Sequence, residues 1–263
     1  MFDLAAVREV LQLEPDVPYI PKSHSLRVYA SEAQSCTRRV AFRLHFPEKE
    51  READNNRTDK SRAILRYGNL VHSLFQQTMK VQYPGAEAEL RVDLGFMSGK
   101  ADGVFRHPQY GKVILELKTT NPASMRQILY TESPKPEHYA QGNIYAHILN
   151  ADYLLVFYVE RPDDIDIHDP DFINTVVDRV ADGSIRTFPW LAPTDHDYAE
   201  MELAKMQEIV EQVKAGSLPA RLYHGVEIDP AMQRFPCGFC PFKDICTAIG
   251  PGRYEGFRKS LAA

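Results

Sequence analysis

No stretch of the sequence is apolar for long enough to cross a bilayer. The longest purely apolar run, Tyr153–Val159, falls far short of the roughly 20 residues a spanning helix needs. Neither sign of charge dominates: 31 Lys and Arg stand against 36 Asp and Glu, a net charge of −5. A basic molecule that wraps nucleic acid over its whole surface is excluded, and any such binding must use a local patch. The opening residues, MFDLAAVREVLQLEP, lack a basic segment followed by an apolar core and a small-residue cleavage site. No secretory leader is expected, and the expected location is cytoplasmic. Cysteine is scarce, at four. In a reducing compartment such thiols are expected to be free, catalytic or metal-binding instead of disulfide-bonded, so their spacing is informative. There is no internal repeat or low-complexity tract, which excludes a solenoid.

What is present is ordinary globular composition, 44% hydrophobic and 25% charged over 263 residues. That length suits one large domain or a domain with an appendage. Residues 1–85 read as a helical N-terminal region. It has a helix over Ser31–His45, a charged loop over 47–62, and a second helix from Gly68 with Leu70, Val71, Leu74, Phe75 and Met79 at helical spacing. Residues 86–165 change period. Strands are expected at Leu90–Phe96, Gly99–Phe105, Lys112–Thr120 and Tyr153–Val159, with a helix over Pro136–Asn150 between the last two. The expected fold is therefore α/β, a mixed central sheet flanked by helices. Residues 166–263 begin with an acidic loop and a short strand near Asn174–Val180. An amphipathic helix over Asp195–Ala215 follows, and then three of the cysteines. All 263 residues are expected to form a single domain.

The strand Lys112–Thr120 carries an unusual pair. Side chains alternate along a strand, so Glu116 and Lys118 share one face of an otherwise apolar segment. Alone, they would suit an edge-strand surface ion pair of little consequence. If the preceding turn centres near Gln109, however, Asp102 lies opposite Glu116. Two facing carboxylates repel unless a cation lies between them. Mg²⁺ or Mn²⁺ takes such oxygen ligands, and a nearby lysine stabilises developing charge on a phosphate, which is the chemistry of phosphodiester hydrolysis. Gln141 and Tyr145 are four apart on a helix and share a face. His72, taken alone, reads as a packed histidine.

Cys237, Cys240 and Cys246 form a C-x₂-C-x₅-C group, and Cys36 is available as a fourth thiolate. Four such ligands suit either an iron-sulfur cluster or Zn²⁺, and spacing alone leaves both open. Ligation by Cys36 would staple the N-terminal helix to the C-terminal segment.

In this order Cys36, His72, Gly99-Lys100-Ala101-Asp102, Glu116-Leu117-Lys118, Gln141-Gly142-Asn143-Ile144-Tyr145, Cys237, Cys240 and Cys246 resemble the RecB-like exonucleases of the PD-(D/E)XK superfamily. Within it they are most similar to the iron-sulfur branch that includes the CRISPR-associated Cas-four nucleases and their phage relatives. The resemblance covers residues 30–250. It implies a restriction-endonuclease-like core with a C-terminal iron-sulfur segment. His72, Asp102, Glu116 and the Leu117 carbonyl would bind Mg²⁺ or Mn²⁺, and Lys118 would be the catalytic lysine. Gln141 and Tyr145 match the family's Q-x₃-Y motif, which supports the site and contacts DNA, and the four cysteines would hold a [4Fe-4S] cluster. The residue before Asp102 is Ala101 and not the proline that names the superfamily, a departure common in RecB-like members.

The implied activity is a DNA exonuclease preferring single strands, in phage or bacterial recombination, replication or repair. The alternative is a CRISPR adaptation factor that processes DNA ends with an integrase and does little alone. DNA is expected to enter along Arg38, Arg39 and Arg43, joined by Lys60, Arg62 and Arg66. Competing motifs fail. Gly95–Ala101 has three residues between its glycines where a phosphate loop has four, with Ala in place of Ser or Thr, and no G-x-S-x-G elbow occurs.

Overall fold

The computed structural model describes residues 26–49, 58–164, 171–221, 237–250 and 252. The chain divides into two compact units, one containing 58–92 and 99–200, the other 26–49, 93–98 and the described residues from 201 onward. Among the described residues no helix is long and apolar enough to cross a membrane.

The first unit is α/β. Its elements run α2 (Asp59–Gln82), β2 (Glu87–Asp93), β3 (Met97–His107), β4 (Gly111–Thr120), α3 (Pro122–Thr131), α4 (Pro136–Ile148), β5 (Tyr153–Glu160), α5 (Phe172–Ala181), β6 (Thr187–Pro193) and the start of α6 (His196–Lys214). Strand order is β2-β3-β4-β5-β6. The β3–β4 and β5–β6 pairs are antiparallel and β4–β5 is parallel, so the sheet is mixed as expected. A three-residue turn centred on Gln109 joins β3 to β4, with His107 opposite Gly111. Gly111 takes the left-handed backbone that this turn requires, φ 69°.

Alternation along β4 assigns its two faces. Val113, Leu115 and Leu117 pack into a buried cluster with Tyr67, Leu70, Val71 and Leu74 of α2 and with Val176 and Val177 of α5. The other face meets α4, where Gly142 allows close approach: a Cβ there would stand 2.5 Å from Leu154 of β5. The helices begin at local signals. Thr58 caps α2 by accepting a hydrogen bond from the Ser61 amide at 3.2 Å, and Asn121 caps α3 from Ser124 at 2.8 Å, with Pro122 in the first turn.

Three local expectations are corrected. The segment near Asn174–Val180 is helical, because Phe172, Val176 and Val177 recur at helical spacing and are buried together. Helix α2 starts at Asp59, so the end of the expected charged loop is its first turn; 50–57 lie outside the described residues. The first helix starts at Thr37, since Gln34 adopts φ 61° and separates it from a 3₁₀ turn at Ala30–Glu32. In the first unit two elements were not anticipated, α3 and β6. Strand β6 carries Pro189 and Pro193 and pairs with β5 at the sheet's edge, where proline is tolerated.

In the second unit β1 (Val28–Tyr29) pairs in parallel with Met97 and Ser98. Helix α1 (Thr37–His45) packs Phe42 against Phe242, ring centroids 5.7 Å apart, beside the first turn of α7 (Lys243–Ile249). Arg38 of α1 is fully buried. Its guanidinium donates to the carbonyls of Pro219 (2.7 Å), Gly250 and Gly252.

Candidate active site

Strand β4 delivers Glu116 and Lys118 to the site, and β3 delivers Asp102. Gly103 opposite Leu115 ends the paired ladder, and one further step sets Asp102 against Glu116. There the backbone pairing gives way to a side chain: the Leu117 amide donates to Asp102 Oδ2 at 2.8 Å. This leaves Asp102 Oδ1 toward α2, where His72 Nδ1 lies 3.4 Å away.

Glu116 is wholly buried, and neither of its oxygens accepts a well-directed hydrogen bond. The Lys118 ammonium closes on Oε1 as an ion pair. Burial raises the Glu116 pKa to about 7; Lys118 opposes the rise, while the Asp102 charge adds to it. For Lys118, burial disfavours the ammonium, but the Glu116 and Asp102 charges outweigh it and the pKa is raised. Lys118 is therefore a cation at neutral pH.

Helix α4 supports this lysine. Lys118 Nζ donates to Gln141 Oε1 at 3.2 Å. Tyr145, one turn on and buried, stays protonated: burial raises its pKa, and Glu116 and Asp102 raise it further. Its ring lies where a Cβ on Gly99 would sit, so only glycine at 99 lets β3 pass the phenol. His72, Asp102, Glu116, Lys118, Gln141 and Tyr145 are thus brought together, and the Leu117 amide is tied to Asp102.

Three neighbours were not foreseen. Gln76, one turn after His72 on α2, donates from Nε2 to Glu89 Oε1 (3.1 Å) and to the Asp102 carbonyl (3.0 Å). Its i+4 spacing from His72 was the available signal. Glu89 of β2 had none, lying on another strand amid alternating polar residues. His138 of α4 packs beside the site with Nδ1 2.8 Å from the Tyr158 hydroxyl. Burial lowers its pKa to about 3, with Lys118 and Lys135 contributing.

The His138 shift has a stability consequence. Its pKa is 6.5 as a free group and about 3 when folded, so between these values the unfolded chain binds the extra proton. The stabilisation is complete above about pH 6.5 and is lost as pH falls toward 3, by up to roughly 5 kcal/mol. Urea unfolding of wild type and His138→Gln at several pH values checks this. The difference in pH slope should be confined to that window.

In the second unit Cys36 precedes the first turn of α1, and Cys237, Cys240 and Cys246 surround the start of α7. All four are free thiols. Burial raises the Cys237 and Cys240 pKa values, and Cys36 and Cys246 add to the rise at both.

The expected DNA-entry arginines need correction. Arg38 is interior, as described above. Arg43 is also buried, paired with Glu32 at 2.5 Å and stacked over the Tyr29 ring at 4.5 Å. Both are structural cations and leave the patch. Arg39 is exposed, as are Lys60, Arg62 and Arg66 on α2.

No protein-family model matches the chain, and no curated protein does. Among solved structures it is similar to SSO0001 at 18% identity, over 93% of each chain, with a TM-score of 0.48. It is similar to LHK-Exo in complex with dAMP at 14% identity, over 73% of this chain and 90% of that one, TM-score 0.45. LHK-Exo is an alkaline exonuclease from Laribacter hongkongensis. A phage-related exonuclease from Haemophilus somnus 129PT aligns at 15% identity over 58% of this chain and 72% of that one, TM-score 0.38. These are distant likenesses, and what the site can do follows from its own side chains.

Proposed function

We propose that this chain is a divalent-metal-dependent DNA exonuclease preferring single strands, stabilised by a [4Fe-4S] cluster. The observation that carries the reading is Glu116, a wholly buried carboxylate ion-paired with Lys118 and set beside a second carboxylate, Asp102. One ammonium between two carboxylates leaves net negative charge in a buried setting, and a hard cation is a partner that chemistry fits. Asp102, Glu116, His72 and the Leu117 carbonyl are the proposed ligands. A bound divalent ion would supply Lewis acidity toward the phosphate and lower the pKa of attacking water.

The remaining work falls to this chain's own groups. The Leu117 amide fixes one Asp102 oxygen, so the other keeps its direction. Lys118, charged at neutral pH, is suited to donate to a phosphate oxygen and orient the nucleophile, and unsuited to remove a proton. Gln141 holds the ammonium in place, and Tyr145 keeps its proton to donate. Arg39, Lys60, Arg62 and Arg66 are the proposed contacts to the DNA backbone, to be read as a loss of low-salt affinity on reversal of charge.

The C-x₂-C-x₅-C spacing with Cys36, and the packing of Phe42 on Phe242, support cluster binding that joins α1 to α7. Protons must leave the buried thiols when metal enters. Anaerobically purified protein is expected to contain iron and acid-labile sulfide in equal amounts. Stoichiometric zinc without sulfide would remove the cluster from the reading.

The test of activity is digestion of end-labelled single-stranded and duplex DNA with Mg²⁺ or Mn²⁺. Progressive shortening of single strands is expected, and the labelled end gives polarity. An inert protein with its cluster intact would favour an end-processing factor that acts only with an integrase.

A further inference from the structure

We propose that His138 contacts the substrate, donating from Nε2 of a neutral imidazole to a phosphate of the bound strand adjacent to the scissile one, with Lys135 beside it. This extends the nuclease reading along the strand and rests on it.

Position is the first ground. His138, Gln141 and Tyr145 stand at i, i+3 and i+7 on α4, so His138 shares the face that the other two turn to the site. Beneath them Tyr158 of β5 is the register partner of Lys118, and the two side chains leave the sheet on one face. His138 packs over that tyrosine, ring centroids 5.5 Å apart, and the Lys118 and Lys135 charges both act on it. The row Tyr145, Gln141, His138 therefore carries the site past Lys118 toward the start of α4.

Hydrogen bonding is the second. The Lys135 amide donates to the Tyr158 hydroxyl oxygen at 3.0 Å, and His138 Nδ1 lies 2.8 Å from the same oxygen. Tyr158 is fully buried, so its one hydroxyl proton needs an acceptor, and among the described residues that acceptor is Nδ1. A neutral ring with a bare Nδ1 carries its proton on Nε2. No described residue accepts from Nε2, and the half-buried ring leaves that edge open to solvent.

The surroundings select an anion. Lys135 Nζ makes one long contact, 3.5 Å to Ser124 Oγ, and pairs with no carboxylate among the described residues. Glu137, the acid in the first turn of α4, is exposed. A fixed N–H donor between two ammonium groups repels cations and suits a charged acceptor, which single-stranded DNA presents at every linkage. Tyr158 is a positioning residue here, because it acts through the tautomer of His138.

The test uses the cluster-loaded full chain carrying Glu116→Gln, so that strands are bound with Mg²⁺ and not cut. The probe is a single-stranded oligonucleotide with one neutral methylphosphonate linkage, moved along the strand from the bound end. At one linkage the neutral group is expected to cost about tenfold in affinity when His138 is present and less than about twofold with His138→Leu. His138→Gln, whose amide can accept from Tyr158 and donate outward, is expected to keep a penalty of about threefold. Each comparison is internal to one variant, so a general loss of stability does not imitate the result. In parallel, ¹⁵N magnetic resonance of the ring should find the proton on Nε2 at neutral pH, and Tyr158→Phe should spread it over both nitrogens. Equal penalties with and without His138 at every linkage overturn the proposal, as does a ring protonated on Nδ1. Digestion of DNA by wild type would then still keep the nuclease reading, whereas a wild type that neither binds nor digests DNA overturns both.

Discussion

Glu116→Gln is expected to reduce Mn²⁺-dependent hydrolysis by at least about 10²–10³-fold while leaving the apo protein at least as stable as wild type near pH 7. The two effects have one cause. Burial drives the Glu116 carboxyl up to about 7, so its ionised form is disfavoured in the folded chain. Because the folded pKa exceeds the ordinary 4.5, the folded state binds the extra proton between these values. Stability from this group is present below about pH 4.5 and is lost as pH rises through 7, on the order of 3 kcal/mol with the opposing Lys118 charge already included. A neutral amide does not titrate. Urea unfolding across pH 4–8 should show wild type losing this contribution while Glu116→Gln does not, and the same preparations give the rates. Activity lost without the change in pH slope would mean that Glu116 acts otherwise than as a buried ionising carboxyl. Lys118→Met should also lower the rate by about 10²–10³-fold, since it removes the ammonium paired with Glu116.

The second large effect is on stability alone. Arg38→Met is expected to destabilise the second unit by roughly 3–5 kcal/mol, read as a lower urea midpoint for probes in that unit. The guanidinium is fully buried and serves three carbonyls, at Pro219, Gly250 and Gly252. Methionine fills much of the volume and leaves those oxygens without donors. Arg39→Glu, one residue along but exposed, should change stability by no more than about 0.5 kcal/mol and should weaken DNA binding at low salt. Equal destabilisation by both would show that position on α1, and not the buried hydrogen bonds, sets the effect.

These neighbours illustrate what was legible. Arg38, Arg39 and Arg43 look alike in sequence, as basic residues on one helix. Only tertiary structure supplies the carbonyls and the Glu32 carboxylate that draw two of them inside. By contrast, the β3–β4 register followed from local chemistry. The turn residues around Gln109 fix it, and a fixed register sets Asp102 against Glu116. Gln141 and Tyr145 were legible for the same reason, since helical spacing alone places them on one face. Phe172–Ala181 was misread because the doublet Val176-Val177 satisfies both periods over a short window. Glu89 was invisible because the pairing of β2 with β3 brings it to the site, and no local pattern records that pairing.

Strand β4 pairs antiparallel with β3 over Gly111–Leu115 and in parallel with β5 over Val113–Thr120, so its middle has a strand on each side. Amides so placed exchange their hydrogens with solvent only when the sheet itself comes apart. The site's central carboxylate and lysine follow directly after that stretch, held by β5 on one side and, at Leu117, by the Asp102 side chain on the other. Fraying that strips the edge strand β6 would leave their pairing with β5 in place.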